Sequence, residues 1–88
     1  MYYTYVLECI KDGGTELYTG YCSDLKNRYQ EHLHKEVKTT KMFDQIRLIY
    51  YEACLNKTDA RKREIQLKTG FGRGYLNRRL SNYFKKRD

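Results

Sequence analysis

The sequence has no tryptophan and no proline, and its three cysteines, Cys9, Cys22 and Cys54, form no close pair. An odd, scattered set argues against a disulfide framework or a zinc site and fits reduced thiols in a cytosolic protein. No stretch approaches the roughly 20 apolar residues of a membrane-spanning helix. The N-terminus also lacks the basic-then-apolar run of a secretory signal. A soluble, cytoplasmic protein with no membrane association is therefore expected. No repeat, linker or low-complexity segment divides the 88 residues, so one domain is expected, near the lower size limit for an unaided hydrophobic core. Its core should run over about 2–82, with a basic tail at 83–88.

Acidic residues are also scarce. Eleven Asp or Glu face eighteen Lys or Arg, for a formal charge of +7 and a pI near 9.4. Such an excess points to a polyanionic partner, nucleic acid first, because neutralising phosphates releases counterions. A well-solvated surface is the alternative. The charge concentrates late, with ten Lys or Arg from Arg61 onward against Glu64 and Asp88. Tyrosine, by contrast, is abundant, at ten residues. Its ring packs while its hydroxyl reaches a polar partner, which suits a thin core open to a polar groove.

Tyr2 to Cys9 reads as a strand, aromatic and β-branched without a breaker. Period-2 geometry puts Tyr3, Tyr5, Leu7 and Cys9 on one face. Lys11-Asp12-Gly13-Gly14 is turn chemistry, and Leu17 to Tyr21 returns as a second strand. Gly20 interrupts that strand, marking a bulge or the close approach of another backbone or a ligand. Ser23 or Asp24 can cap a helix from about Leu25 to Lys35, with Leu25, Tyr29 and Leu33 as its buried stripe. Arg28 and His32, four apart, lie one above the other on its shoulder, while His34 points elsewhere. A loop follows to Asp44. Ile46 to Cys54 is the most apolar run and is expected to be the central strand. Asn56 or Thr58 starts the next helix, which Gly70 is expected to end. Gly72 to Asn82 forms a shorter one. The order strand, strand, helix, strand, helix, helix predicts an α+β domain, one small sheet flanked by helices.

Five side chains on these elements carry chemistry of their own. On its helix Glu64 falls inside the arc of Ala60, Ile65 and Leu67, where a carboxylate is costly unless paired or metal-bound. An i, i+4 pair with Lys68 satisfies it. So does a magnesium ion, which prefers one carboxylate together with water and phosphate oxygens. The Arg28 guanidinium matches phosphate oxygens in two places, or is simply solvated. His32 moves protons near neutral pH, or is satisfied locally. Tyr5 and Tyr18 pack in the core by default. Either hydroxyl can orient or deprotonate a water if a nearby metal or arginine lowers its pKa.

The same residues carry a resemblance. Tyr3-Thr4-Tyr5 and Tyr18-Thr19-Gly20 stand where the GIY-YIG nuclease family has its two tripeptides. The likeness continues through Asp24-Leu25-Lys26-Asn27-Arg28, His32, Leu48 to Ala53, Ala60 to Glu64, Lys68-Thr69-Gly70 and Gly74-Tyr75-Leu76. The chain is similar to the small stand-alone bacterial members, called excinuclease-subunit-C-like, although its first tripeptide has neither Gly nor Ile. The resemblance implies a three-stranded antiparallel sheet flanked by helices and metal-dependent hydrolysis of DNA, used in repair or processing. It implies Tyr5 and Tyr18 on the water-activating side, Tyr5 first as general base, Arg28 on the phosphate and His32 assisting proton transfer. Glu64 would hold a single Mg²⁺ or Mn²⁺. Gly20, Lys68, Arg73 and Asn77 would contact the substrate, RNA being a further possibility. A protein partner supplying targeting is expected too. The alternative is a non-catalytic nucleic-acid-binding module, its basic last third and tyrosines gripping a strand without cutting it.

Overall fold

The computed structural model describes residues 1–86. Strand β1 (Tyr2–Lys11) turns into β2 (Gly14–Cys22) through Asp12-Gly13. Both turn residues have positive φ, 52° and 78°, as a two-residue type I′ turn requires to match the twist of its strands. Helix α1 (Leu25–Leu33), strand β3 (Gln45–Cys54) and helices α2 (Lys57–Leu67), α3 (Gly70–Arg79) and α4 (Ser81–Lys86) follow. The expected order is thus present, with one further short helix. The tail expected at 83–88 is helical through Lys86, and residues 87–88 lie outside the described residues.

The sheet is antiparallel throughout, in the order β2-β1-β3. The central strand is therefore β1, and Thr4 to Cys9 are buried in unbroken succession. The expectation that Ile46–Cys54 lies in the middle is corrected. Strand β3 pairs with β1 on one edge only, and its residues are half-buried or exposed. Between Val6 and Leu7 the register slips, leaving Ile49 as the extra residue of a bulge. Ile49 and Tyr50 consequently pack together against the same core.

Cross-strand pairing sets the two faces. Tyr5, Gly20 and Tyr51 share one, and Thr4, Tyr21 and Glu52 the other. The first face carries the core of Tyr5, Leu7, Cys9 and Phe43, against which Tyr18, Leu25 and Tyr29 pack. The second carries Val6, Leu67 and Leu76, with Tyr75 and Leu80 alongside. Helix α1 thus covers one side of the sheet while α2 and α3 cover the opposite side.

Helix boundaries follow local hydrogen bonding. Asp24 caps α1 by accepting from the Asn27 N–H at 3.0 Å. Asn56 caps α2, accepting from Thr58 and Asp59 at 2.8 and 3.3 Å. Gly70 does not end α2. The Thr69 hydroxyl donates to the Gln66 carbonyl at 2.7 Å, satisfying an orphan acceptor of the last turn, and Gly70 opens α3. Two inward positions also differ from the sequence pattern. Leu33 and Ile65 are exposed, and the residue of α1 that is fully buried is His32. On the second face Glu8, only 4% exposed, accepts a 2.7 Å hydrogen bond from the Tyr83 hydroxyl, which fastens α4 to the central strand. All three cysteines are free thiols.

Candidate active site

Strand β1 points Tyr5 toward α1, and one turn of that helix separates Arg28 from His32. The three meet. The Tyr5 hydroxyl lies 2.9 Å from His32 Nε2, and Arg28 Nε donates to that hydroxyl at 3.4 Å. On its far side His32 Nδ1 is 2.7 Å from Thr40 Oγ1, and Thr40 donates in turn to the Val37 carbonyl at 3.5 Å. A carbonyl only accepts, so the protons can be assigned from that end. Thr40 gives its proton to Val37, His32 Nδ1–H gives to Thr40, and Nε2 accepts from Tyr5. The result is a directed chain of donors from the surface guanidinium inward.

Burial dominates the electrostatics of this chain. Tyr5 is 1% exposed and His32 0%. Burial pushes the Tyr5 phenol up to about 12, against the opposing pull of the Arg28 hydrogen bond. The expected lowering of a tyrosine by arginine is therefore outweighed at Tyr5. Burial first, and the Arg28 charge second, bring His32 down to about 4. His32 is a neutral, fixed link, so the expectation that it titrates near neutral pH is corrected. Arg28 is held fully charged by the Glu31 carboxylate at 2.9 Å, with 37% of its side chain exposed.

Tyr18 joins the cluster through its ring, whose centroid is 5.3 Å from His32 and 6.4 Å from Tyr5. At Gly20 a close approach is made by a neighbouring side chain. A Cβ there would sit 2.5 Å from the Tyr5 hydroxyl, so what approaches Gly20 is the phenol itself. The pairing through Gly20 shows no bulge.

Glu64 belongs to α2 and so to the opposite side of the sheet. Its carboxylate is 12% exposed, 3.2 Å from Lys68 Nζ and 3.8 Å from Arg61 Nε. The i, i+4 ion pair with Lys68 is thus present. Lys68, Arg73 and Asn77 line a cleft of about 440 Å³ against Thr15, Leu17 and Thr19 of β2. The single cleft that the resemblance implies for Tyr5, Tyr18, Arg28, His32 and Glu64 is corrected: the residues form two groups, one on each face, both bordering β2. Among the described residues no three His, Cys, Asp or Glu gather as metal ligands. One shielded carboxylate does not make an all-protein cage. It does fit a magnesium ion that keeps its waters and takes phosphate oxygens.

Two participants escaped the sequence pattern. Glu31 stands three residues after Arg28 on the same helix, a spacing that could have announced the pair. Thr40 comes from an irregular loop and has no periodic signal.

A family profile described as the GIY-YIG catalytic domain matches residues 1–77. The chain is 39% identical over 69 residues to a UPF0213 protein of Staphylococcus saprophyticus, covering 77% of this chain and 80% of that one. UPF0213 proteins of Staphylococcus epidermidis and Staphylococcus aureus are 38% and 36% identical over the same shares. No solved structure matches the chain.

Proposed function

Because the chain belongs to the GIY-YIG family of nuclease-type catalytic domains, we propose that it is a metal-dependent DNA endonuclease, hydrolysing a phosphodiester to leave a 5′-phosphate and a 3′-hydroxyl. The supporting observation is the Arg28 guanidinium, fixed between the Glu31 carboxylate and the Tyr5 hydroxyl while its outer part stays exposed. A planar cation held this way meets two phosphate oxygens at once and offsets the charge they gain in the transition state.

Tyr5 is engaged on both sides, by His32 and by Arg28. Its raised pKa makes it a poor resident base, so its part is to position the arginine. Tyr18 is half-buried, and its hydroxyl makes no hydrogen bond among the described residues. Tyr18 is therefore the group that orients the attacking water. A Mg²⁺ or Mn²⁺ ion on Glu64, on the other face from Tyr18, would neutralise phosphate charge where the strand rounds the edge of β2. The substrate strand would follow the outer edge of β2, with Arg28 and Tyr18 on one side and Glu64, Lys68, Arg73 and Asn77 on the other.

The test is nicking of supercoiled plasmid with and without a divalent ion. Wild type should nick only with the ion, and Glu64→Ala should abolish nicking while leaving salt-sensitive binding in place. Equal cutting by both proteins would mark the activity as a contaminant and leave a binding module.

A further inference from the structure

A groove of about 450 Å³ opens on the α1 side of the sheet, lined by Tyr3, Asp24, Lys26, Tyr29 and Tyr51 among others. Its size lies in the range of small-ligand sites. The choice of ligand follows from the lining. Tyr51 is 54% exposed, although it stands on a strand directly opposite buried Tyr5. Tyr3 packs against it edge-to-face, with centroids 6.0 Å apart and planes at 65°, which holds the exposed ring in place. Tyr29 forms another part of the wall and is itself anchored against the first core. A rigid, partly exposed aromatic surface is a poor match for duplex DNA, whose bases are already stacked on one another. It is a good match for an unpaired base, which brings a free π-face.

Charge decides between a base and an apolar peptide. Lys26 is exposed and supplies a cation in the lining. The one acidic residue in the lining among the described residues, Asp24, accepts from the Asn27 N–H and caps the positive end of α1, which offsets its charge. On a chain of net charge +7, an aromatic wall with an exposed lysine beside it fits a nucleotide.

We propose that this groove holds an unpaired nucleotide of the DNA substrate, its base stacked on Tyr51 and its phosphate near Lys26. The inference rests on the nuclease reading for its substrate and adds a class to it. The DNA carries a single-stranded stretch beside the cleaved bond, as in an overhang, gap or flap.

Binding measured in chelator separates the groove from catalysis. Fluorescence anisotropy would be followed with a labelled oligothymidine of about 12 nucleotides and with a duplex of equal length, and quenching with the same oligonucleotide carrying one 2-aminopurine. Tyr51→Ala should lose roughly tenfold in affinity for the single strand, the scale of one stacked base. It should keep its duplex affinity within about twofold and lose the 2-aminopurine quenching. Tyr51→Phe should behave as wild type. Should Tyr51→Ala unfold, Tyr51→Leu keeps apolar bulk without a π-face and should show the same loss. Wild type that fails to bind the single strand, or a Tyr51→Ala or Tyr51→Leu variant that binds it as wild type does or loses both DNAs alike, overturns the proposal. Neutral Tyr51 variants together with Glu64-dependent nicking would reject the groove alone. Stacking without nicking would reject the nuclease alone.

Discussion

His32 is a polar side chain without contact to solvent, and its two ring nitrogens have one partner each. Its protonation is opposed in the fold, with a pKa near 4 against an ordinary 6.5, by burial first and by Arg28 second. The unfolded chain therefore binds the proton more readily than the folded one between these values. The sign follows from that difference. The contribution of His32 to stability is complete above about pH 6.5 and falls away as pH drops toward 4, by on the order of 3 kcal/mol. Denaturation midpoints of wild type and His32→Gln, measured across that window, should converge as the medium becomes acid. A constant gap would place the proton elsewhere. The two tyrosines should separate in the same assay. Tyr5→Phe leaves buried Nε2 without its donor and should cost about 1–3 kcal/mol, whereas Tyr18→Phe should unfold within about 0.5 kcal/mol of wild type yet lose most of its nicking rate. Arg28 and His32 were legible as a pair from their spacing of four. That the histidine would be the buried member was not, because its second partner, Thr40, comes from a loop with no pattern.

Elements meet through glycines here, and the three in question are not equivalent. A methyl group at Gly20 would strike the Tyr5 hydroxyl and ring, and one at Gly72 would strike the backbone of Leu67 at the end of α2. At Gly70 it would touch nothing within 4 Å. Gly20→Ala and Gly72→Ala should each destabilise, the first by about 1–3 kcal/mol. The second should cost more, because backbone cannot swing aside as a side chain can. Gly70→Ala should be neutral or slightly stabilising, since alanine favours helix. Urea midpoints of the three variants would show this order, and a Gly20→Ala protein with wild-type stability and activity would mean that the phenol does not depend on that gap. Strand and helix types were legible from period and capping residues. Rank within the sheet was not: the long apolar run of β3 suggested the middle, yet position in a sheet is fixed by which edges find partners. The termination of α2 was misread for a similar reason, since Thr69 performs by hydrogen bonding what a glycine does by its backbone.

The whole molecule divides its polar residues between the two sides of one thin sheet. Tyr5, Tyr18, Arg28 and His32 gather under α1, and Glu64 with the basic cleft lies under α2 and α3. Sequence order gave all of these residues, but no spacing rule says which side of a sheet a helix will cover. The bond from Tyr83 to Glu8 spans 75 positions of the chain and joins the innermost strand to the final helix. On a ribosome, residues of β1 emerge first and residue 83 only after β3 and α3. The carboxylate in the middle of the sheet therefore gains this phenol only after all three strands and the first three helices have been made, and a chain halted before Tyr83 lacks the bond that fastens α4 to β1.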